Sequence, residues 1–266
     1  MLTQNPTYLQ NKNQHERDRN TSLDEATHIY NIQGATDYTS MTTFIHTLIE
    51  PFDEDKIIKN MMASKNWPNS KYFGMSETEI KDLWEKNRTE ASTAGTNMHF
   101  YIECFYNSPD FMENINLNLN TSIPIEEQYF HNFYNDFKDV LEPFRTEWIV
   151  YNEDIRLAGS IDMVFKNTQT GKLEIYDWKR SREIKKTSNF NKWLRNPAVS
   201  HLPDTNFWHY ALQLNGYRYI LTHKYGQDVG DCYLVCLHPE NRNNNYIRLK
   251  VPDLQNEIAI LFNALK

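Results

Sequence analysis

The chain has 266 residues, a formal net charge of −7 and a hydrophobic content of 39%, which is enough for one sizeable domain with a core. The net negative charge argues against a protein that coats nucleic acid by bulk electrostatics. It does not argue against a protein that binds nucleic acid at one site, because a basic groove can be local. Three cysteines cannot form a paired disulfide framework. No apolar run suits a bilayer, and the N-terminus lacks a secretory signal. We therefore expect a soluble, intracellular protein of the cytoplasm or nucleus.

The N-terminal half favours helices after a polar start. Residues 1–25 are rich in Asn, Gln, Thr and charge, so we predict a disordered or loosely tethered tail there. Acidic residues at 53–55 predict the start of a short helix. Ser76 and Glu79 form a capping box at the start of another helix.

Two further helices follow before the sheet. Gly95 interrupts the apolar pattern, so we expect a new helix from about 96 to 106. An amphipathic helix is predicted over roughly 125–141, ending before Pro143.

The hydrophobic period changes after residue 141, and strands dominate from there. The predicted strands cover 146–151, 156–166, 172–180, 231–237 and 246–251, and the predicted helices cover 205–223 and 254–265. The sequence therefore predicts an α/β (α+β) fold with a central sheet flanked by helices. We expect a single domain over 26–266, with a helical N-terminal part (26–141) and a sheet that carries the chemistry (142–266).

A hairpin within this sheet carries the candidate chemistry. If Asn167 lies opposite Lys172, the same register places Asp162 across from Asp177, with Cβ atoms roughly 4.5–5.5 Å apart. The two carboxylates would repel each other unless a cation lies between them. A divalent metal is the natural candidate, because hard cations take oxygen ligands.

Strand alternation extends this prediction to the neighbouring side chains. Lys179 falls on the same face as Asp177, near the expected metal, whereas Trp178 points the other way into packing. The apolar residues near Asp162 are expected on the face opposite to it, and they are Ile161, Met163 and Phe165. The alternative is a solvent-facing hairpin, which fits poorly because the flanking residues are mostly not surface-like.

Four runs of the sequence stand out, namely Gly95 to His99, Gly159 to Asp162, Asp177 to Lys179 and Gln213 to Tyr217. Together they resemble the signature of the PD-(D/E)XK nuclease superfamily. The runs Gly159 to Asp162 and Asp177 to Lys179 are similar to its catalytic strands. Gly95 to His99 resembles the Gly-x-x-x-His element of the RecB-like branch, which includes lambda-type exonucleases. Gln213 to Tyr217 resembles the Gln-x-x-x-Tyr element of that branch. The four runs lie within about 91–220, in the expected order.

The resemblance implies a restriction-endonuclease-like core with a mixed sheet and one or two Mg²⁺ or Mn²⁺ ions. It implies that Asp162, Asp177 and Lys179 are catalytic. The implied metal ligands are His99, Asp162, Asp177 and the backbone carbonyl of Trp178. It also implies that Gln213 and Tyr217 contact the substrate.

Other charged residues lie near these runs in the sequence. The basic segment after the second catalytic run, which includes Arg180 and Arg182, is predicted to track a nucleic-acid strand. Its alternative is a solvated loop. Glu103 either orients the imidazole of His99 or is an ordinary surface acid. Glu147 has either a role in the site or a structural one.

The expected activity is hydrolysis of DNA by an exonuclease of replication, repair or recombination, with single strands or ends favoured and RNA left open. A structure-specific or RNA-directed endonuclease and an inactive nucleic-acid-binding module are the alternatives. The cysteine count predicts no iron–sulfur cluster, and the lack of a phosphate-binding loop predicts no nucleotide cofactor. Without a helicase motif the nuclease would act alone or with a helicase or recombination partner in trans. No membrane partner is expected. The oligomeric state and a cellular, viral or phage origin stay open.

Overall fold

A computed structural model describes residues 7–24, 26–108, 123–188 and 191–266. Within these ranges the helices are α1 (Tyr8–Lys12), α2 (Met41–His46), α3 (Glu54–Met62), α4 (Glu77–Asn107), α5 (Ile125–Phe137), α6 (Asn206–Lys224) and α7 (Gln255–Asn263). The strands are β1 (Thr21–Asp24), β2 (Ile29–Ile32), β3 (Thr39–Ser40), β4 (Leu141–Asn152), β5 (Leu157–Asn167), β6 (Leu173–Lys179), β7 (Val229–Cys236) and β8 (Ile247–Lys250).

One mixed six-stranded sheet organises the molecule. Its strand order is β3-β5-β6-β7-β8, and β4 pairs with β5. The pairs β4–β5, β5–β6 and β7–β8 are antiparallel, whereas β3–β5 and β6–β7 are parallel. Strands β1 and β2 form a separate hairpin. The predicted mixed α/β fold with a central mixed sheet flanked by helices is confirmed at this level.

Two apolar cores lie against this sheet, and alternation along β6 separates them. Ile175 packs in a core with side chains from α2, α6 and α7. Tyr176 and Trp178 pack in the other core, against α4 and α5. By the same alternation Asp177 points to the side of the sheet that Ile175 faces, and it is only 2% exposed. The alternation therefore brings a carboxylate into the interior of the fold.

The β5–β6 hairpin has the predicted register. The Asn167 amide donates to the Lys172 carbonyl at 2.9 Å, and the ladder continues until Met163 pairs with Tyr176. Asp162 lies one residue beyond this last pair, and its carboxylate accepts a hydrogen bond from the Trp178 amide at 3.0 Å.

Asp162 and Asp177 were expected to pair directly across the hairpin, but the observed β5–β6 pairing ends one residue pair before them. Strands β5 and β6 stop pairing before the two acids, and β3 pairs with β5 at Leu157 and Ala158 instead. Ile161 also departs from expectation, because it packs in a different core from Met163 and Phe165. Only the β5–β6 pairing ends at the acids, because β6 continues to pair with β7 through Asp177 and Lys179.

The predicted tail over residues 1–25 is wrong for the part that the structure describes. Leu9 is 2% exposed, and Asp18 accepts hydrogen bonds from Arg145 and Trp148 of β4 at 2.7 Å and 2.9 Å. Residues 1–6 and 25 lie outside the described residues. Local composition does not predict that this segment is ordered, because the side chains that bind Asp18 lie more than a hundred residues further along the chain.

The helical region also differs from its prediction. Helix α4 runs without a break through Gly95, because a glycine costs a helix only about 1 kcal/mol and packing can offset that. Helix α5 ends at Phe137 and β4 already begins at Leu141. The part predicted as helical also contains β2 and β3. No helix in the described ranges is long and apolar enough to cross a membrane.

Candidate metal centre

Three side chains from three different elements converge at the end of the β5–β6 ladder. His99 comes from α4, Glu147 from β4 and Asp162 from β5. One potential ligand atom from each lies within 4.8 Å of the others, and all three residues are partly buried. His99 Nδ1 lies 3.5 Å from Asp162 Oδ2. An imidazole and two carboxylates therefore face a common point.

His99 is oriented by a backbone carbonyl. Its Nε2 lies 2.9 Å from the Trp178 oxygen, and a carbonyl can only accept, so this nitrogen carries a proton. In the neutral ring Nδ1 then keeps its lone pair and points towards Asp162. The Trp178 carbonyl, which was expected as a metal ligand, thus holds the imidazole in place. The Trp178 amide holds Asp162 in the same way.

Glu147 is held by an unusual backbone conformation and by a hydroxyl. Its φ angle is 42°, a left-handed value that costs a residue with a Cβ roughly 1–2 kcal/mol. Ser160 Oγ donates to Glu147 Oε2 at 2.8 Å. Strained residues persist only where the surrounding structure over-determines them. The strand therefore bends at Glu147 in a way that directs its carboxylate to the centre.

The acids lie in an environment that disfavours their charge. Burial, and then the charge of Asp162, raises the pKa of Glu147 to about 8. Burial raises the pKa of Asp177 to about 6, with the Asp162 charge acting in the same direction and Lys179 against it. Carboxylates that are buried next to one another repel, and a divalent cation between them would remove that repulsion.

Lys179 lies against Asp177 and an aromatic ring. Its Nζ is 2.7 Å from Asp177 Oδ2, yet that oxygen has no partner in hydrogen-bonding geometry, so the contact is an ion pair without a directed hydrogen bond. The same ammonium lies 4.5 Å from the centroid of the Tyr210 ring. Tyr210 was missed from the sequence. The signal that could have found it is its position three residues before Gln213 on the same side of α6.

Gln213 and Tyr217 lie at this centre, but Tyr217 faces inwards. Gln213 Nε2 donates to the Tyr217 hydroxyl at 3.1 Å, and Tyr217 is 3% exposed. Its ring packs directly over Gly159 of β5. This position makes Tyr217 a support for the strand that carries Asp162, and it leaves Gln213 as the more accessible of the two.

The remaining predicted residues lie around the centre rather than in it. Arg180 is paired with Glu126 at 2.5 Å, and Arg182 is paired with Glu240 at 2.7 Å. Both guanidinium groups therefore have acidic partners already. The charge of Glu103 contributes to the raised pKa of Glu147, which places Glu103 near that carboxylate. It is not part of the converging triad.

The donor set fits a hard or borderline divalent cation. Carboxylate oxygens suit Mg²⁺ and Mn²⁺, and an imidazole nitrogen is compatible with Mn²⁺. The buried Asp177 oxygen without a directed partner adds a further negative group beside the triad. Glu147, for which the sequence left a site role and a structural role open, lies in the triad, whereas Asp177 is adjacent to it.

Comparisons with known proteins give no further guide to identity. No model of a protein family matches this sequence, and no curated protein is significantly similar to it.

Proposed function

We propose that this protein is a metal-dependent nuclease that hydrolyses DNA phosphodiester bonds. The observation that carries the proposal is the convergence of His99, Glu147 and Asp162 from three elements on one point. Mg²⁺ or Mn²⁺ is the proposed ion, and the three side chains are its proposed ligands. A cation at this position would supply Lewis-acid activation of water and neutralise charge on the phosphate.

Lys179 is proposed to stabilise the reacting phosphate by its charge. Burial lowers its pKa, but Asp177 and Asp162 raise it more, and the net pKa is above the ordinary value. The side chain therefore stays protonated at neutral pH and cannot accept a proton from water. Its Nζ can donate hydrogen bonds to a phosphate oxygen or to the attacking water.

Asp177 and Tyr210 hold this ammonium in place. Asp177 lies 2.7 Å from Lys179 Nζ, and the face of Tyr210 lies on another side of it. A side chain that is fixed before the reaction needs no reorganisation in the transition state, which is the main source of electrostatic catalysis. Gln213, on the same side of α6 as Tyr210, is proposed to contact the substrate. The similarity of the Gln213 to Tyr217 run to RecB-like nucleases favours end-directed cutting of DNA.

The test is digestion of end-labelled linear and circular DNA, single- and double-stranded, and of RNA, with Mg²⁺ or Mn²⁺. We expect Asp162→Asn and Lys179→Ala to abolish cleavage and to leave the protein folded by circular dichroism. Asp228→Asn is the matched control, because its carboxylate is 73% exposed and pairs with Lys172. Full activity in either site variant would overturn the proposal.

The same assay separates the alternatives of the same fold. Cleavage of circular DNA as fast as linear DNA would show an endonuclease, and preferred cleavage of RNA would change the substrate. No cleavage of any substrate, combined with Mn²⁺ binding that does not depend on Asp162, would favour an inactive nucleic-acid-binding module.

A further inference from the structure

A second site lies on another side of α6 from the metal centre. A cavity of about 560 Å³ opens there between α6, β7, β8 and the loop after β6. Helix α6 lines it with Phe207, Trp208 and Arg218, whereas Tyr210 and Tyr217 of the same helix lie towards the metal centre. These two groups point in different directions at 3.6 residues per turn. None of the metal-centre residues lines the cavity.

One wall of this cavity combines an aromatic surface with a cation. Trp208 Nε1 donates to the Lys186 carbonyl at 2.9 Å, which anchors the loop to the helix. Lys186 Nζ lies 4.6 Å from the centroid of the Phe207 ring. Among the described residues no carboxylate pairs with Lys186, so its ammonium is available to an anion.

The rest of the lining carries two cations, each paired with an exposed carboxylate. Arg218 Nη1 lies 3.0 Å from Asp253, whose side chain is 63% exposed. Lys250 Nζ lies 2.6 Å from Asp231, whose side chain is 43% exposed. Exposed ion pairs contribute only about 0–1 kcal/mol each. Both side chains of the Lys250–Asp231 pair are exposed, so an anionic ligand can recruit Lys250 at little cost. The exposed carboxylates of Asp231 and Asp253 can accept hydrogen bonds from the N–H or O–H groups of the ligand.

We propose that this cavity binds a phosphorylated nucleoside. The phosphate would lie among Lys186, Arg218 and Lys250, and the base would stack on Trp208. Asp231 and Asp253 would accept from the sugar hydroxyl or the amino group of the base. The volume falls within the roughly 300–1,000 Å³ that is usual for small-molecule sites. The ligand is either a free mononucleotide or the terminal nucleotide of a strand. This site does not depend on the proposed nuclease activity.

The proposal is tested by calorimetric titration with EDTA present, so that neither metal nor hydrolysis contributes. The probes are dAMP, deoxyadenosine and inorganic phosphate. We expect dAMP to bind at least tenfold more tightly than either fragment, because only dAMP engages both the three cations and the Trp208 ring. We expect Lys186→Ala to weaken the binding of dAMP at least tenfold, which corresponds to a loss of about 1.4 kcal/mol of binding free energy. Lys185→Ala is the matched control, because Lys185 pairs with Glu183 and does not line the cavity.

Three results would overturn the proposal: no binding of dAMP at several millimolar, equal binding of deoxyadenosine, or equal weakening by the Lys185 and Lys186 variants. Asp162→Asn must bind dAMP as the unmodified protein does, since a loss there would place the ligand at the metal centre. Titration with a 5′-phosphorylated oligonucleotide distinguishes a free mononucleotide from the terminal nucleotide of a strand as the ligand. Competition with dAMP shows that the cavity accepts a strand end, and dAMP binding that the oligonucleotide leaves unchanged shows a site for the free mononucleotide.

Discussion

Tyr217 lies so close over Gly159 that a Cβ atom on this glycine would be 2.5 Å from Cε1 and 2.7 Å from the hydroxyl oxygen of the ring. The contact presses α6 against β5 three residues before Asp162. The glycine is therefore required by the close approach of a buried ring.

We predict that Gly159→Ala destabilises the protein by about 1–3 kcal/mol, the usual effect of overpacking a core. Because Tyr217 must move and β5 with it, we also expect weaker Mn²⁺ binding. Urea unfolding and calorimetric titration measure the two effects.

Gly95→Ala is the control for this substitution. Gly95 lies inside α4 and a Cβ there would have nothing within 4 Å, so alanine should stabilise the helix by about 0.5–1 kcal/mol. Equal stability of the Gly159 variant and the unmodified protein would contradict the packing of Tyr217 on β5.

Glu147→Gln should weaken Mn²⁺ binding at least tenfold, or about 1.4 kcal/mol. The amide keeps the shape and can still accept from Ser160, but it removes one negative ligand. Glu142→Gln is the matched control on the same strand, since Glu142 is 51% exposed and pairs with Lys12. Unchanged Mn²⁺ affinity in the Glu147 variant would remove Glu147 from the ligand set.

The contribution of Glu147 to the stability of the metal-free protein should fall as pH rises from about 4.5 to about 8. The folded-state pKa of Glu147 is about 8 against an ordinary value of 4.5, so folding favours the protonated acid. The stabilisation is complete below the ordinary pKa of 4.5 and is lost as pH rises through the folded-state pKa of about 8. Asp177 acts in the same direction.

Thermal melts in EDTA across this range measure the slope, and Glu147→Gln isolates the part that belongs to this residue. We expect the variant to show a flatter profile than the unmodified protein. Identical profiles for the two would mean that Glu147 ionises normally in the folded state.

Asp18→Ala should destabilise the protein by about 3–5 kcal/mol, because it leaves the buried guanidinium of Arg145 without its carboxylate. Arg145 is 3% exposed, and its Nη1 lies 2.7 Å from Asp18. Chemical denaturation measures the change.

The double variant Asp18→Ala/Arg145→Met should recover much of this loss, since no uncompensated charge remains. Asp37→Ala is the exposed control, with its side chain 66% exposed in a pair with Arg156, and it should change stability by less than about 1 kcal/mol. A small effect of Asp18→Ala would show that the N-terminal segment is not anchored through this pair.

Local chemistry in the sequence was sufficient for the features that depend on near neighbours. Helix α3 begins at the acidic residues 53–55 and α4 begins with the capping box of Ser76 and Glu79, both as predicted. The structure adds that Asp53 is the N-cap of α3. The Asn167–Lys172 turn gave the correct hairpin register. These features follow from residues a few positions apart, because their hydrogen bonds join near neighbours in the chain.

The tertiary structure decided everything that depends on distant partners. Only the bend at Glu147 shows that this acid joins His99 and Asp162. Only the packing of α6 brings Tyr210 to Lys179 and turns Tyr217 inwards. Sequence periodicity reports which face of an element is apolar, but not which other element covers it. The sequence thus determined the mixed fold and the hairpin with its acids, and the packing of helices on the sheet determined which of those acids meet.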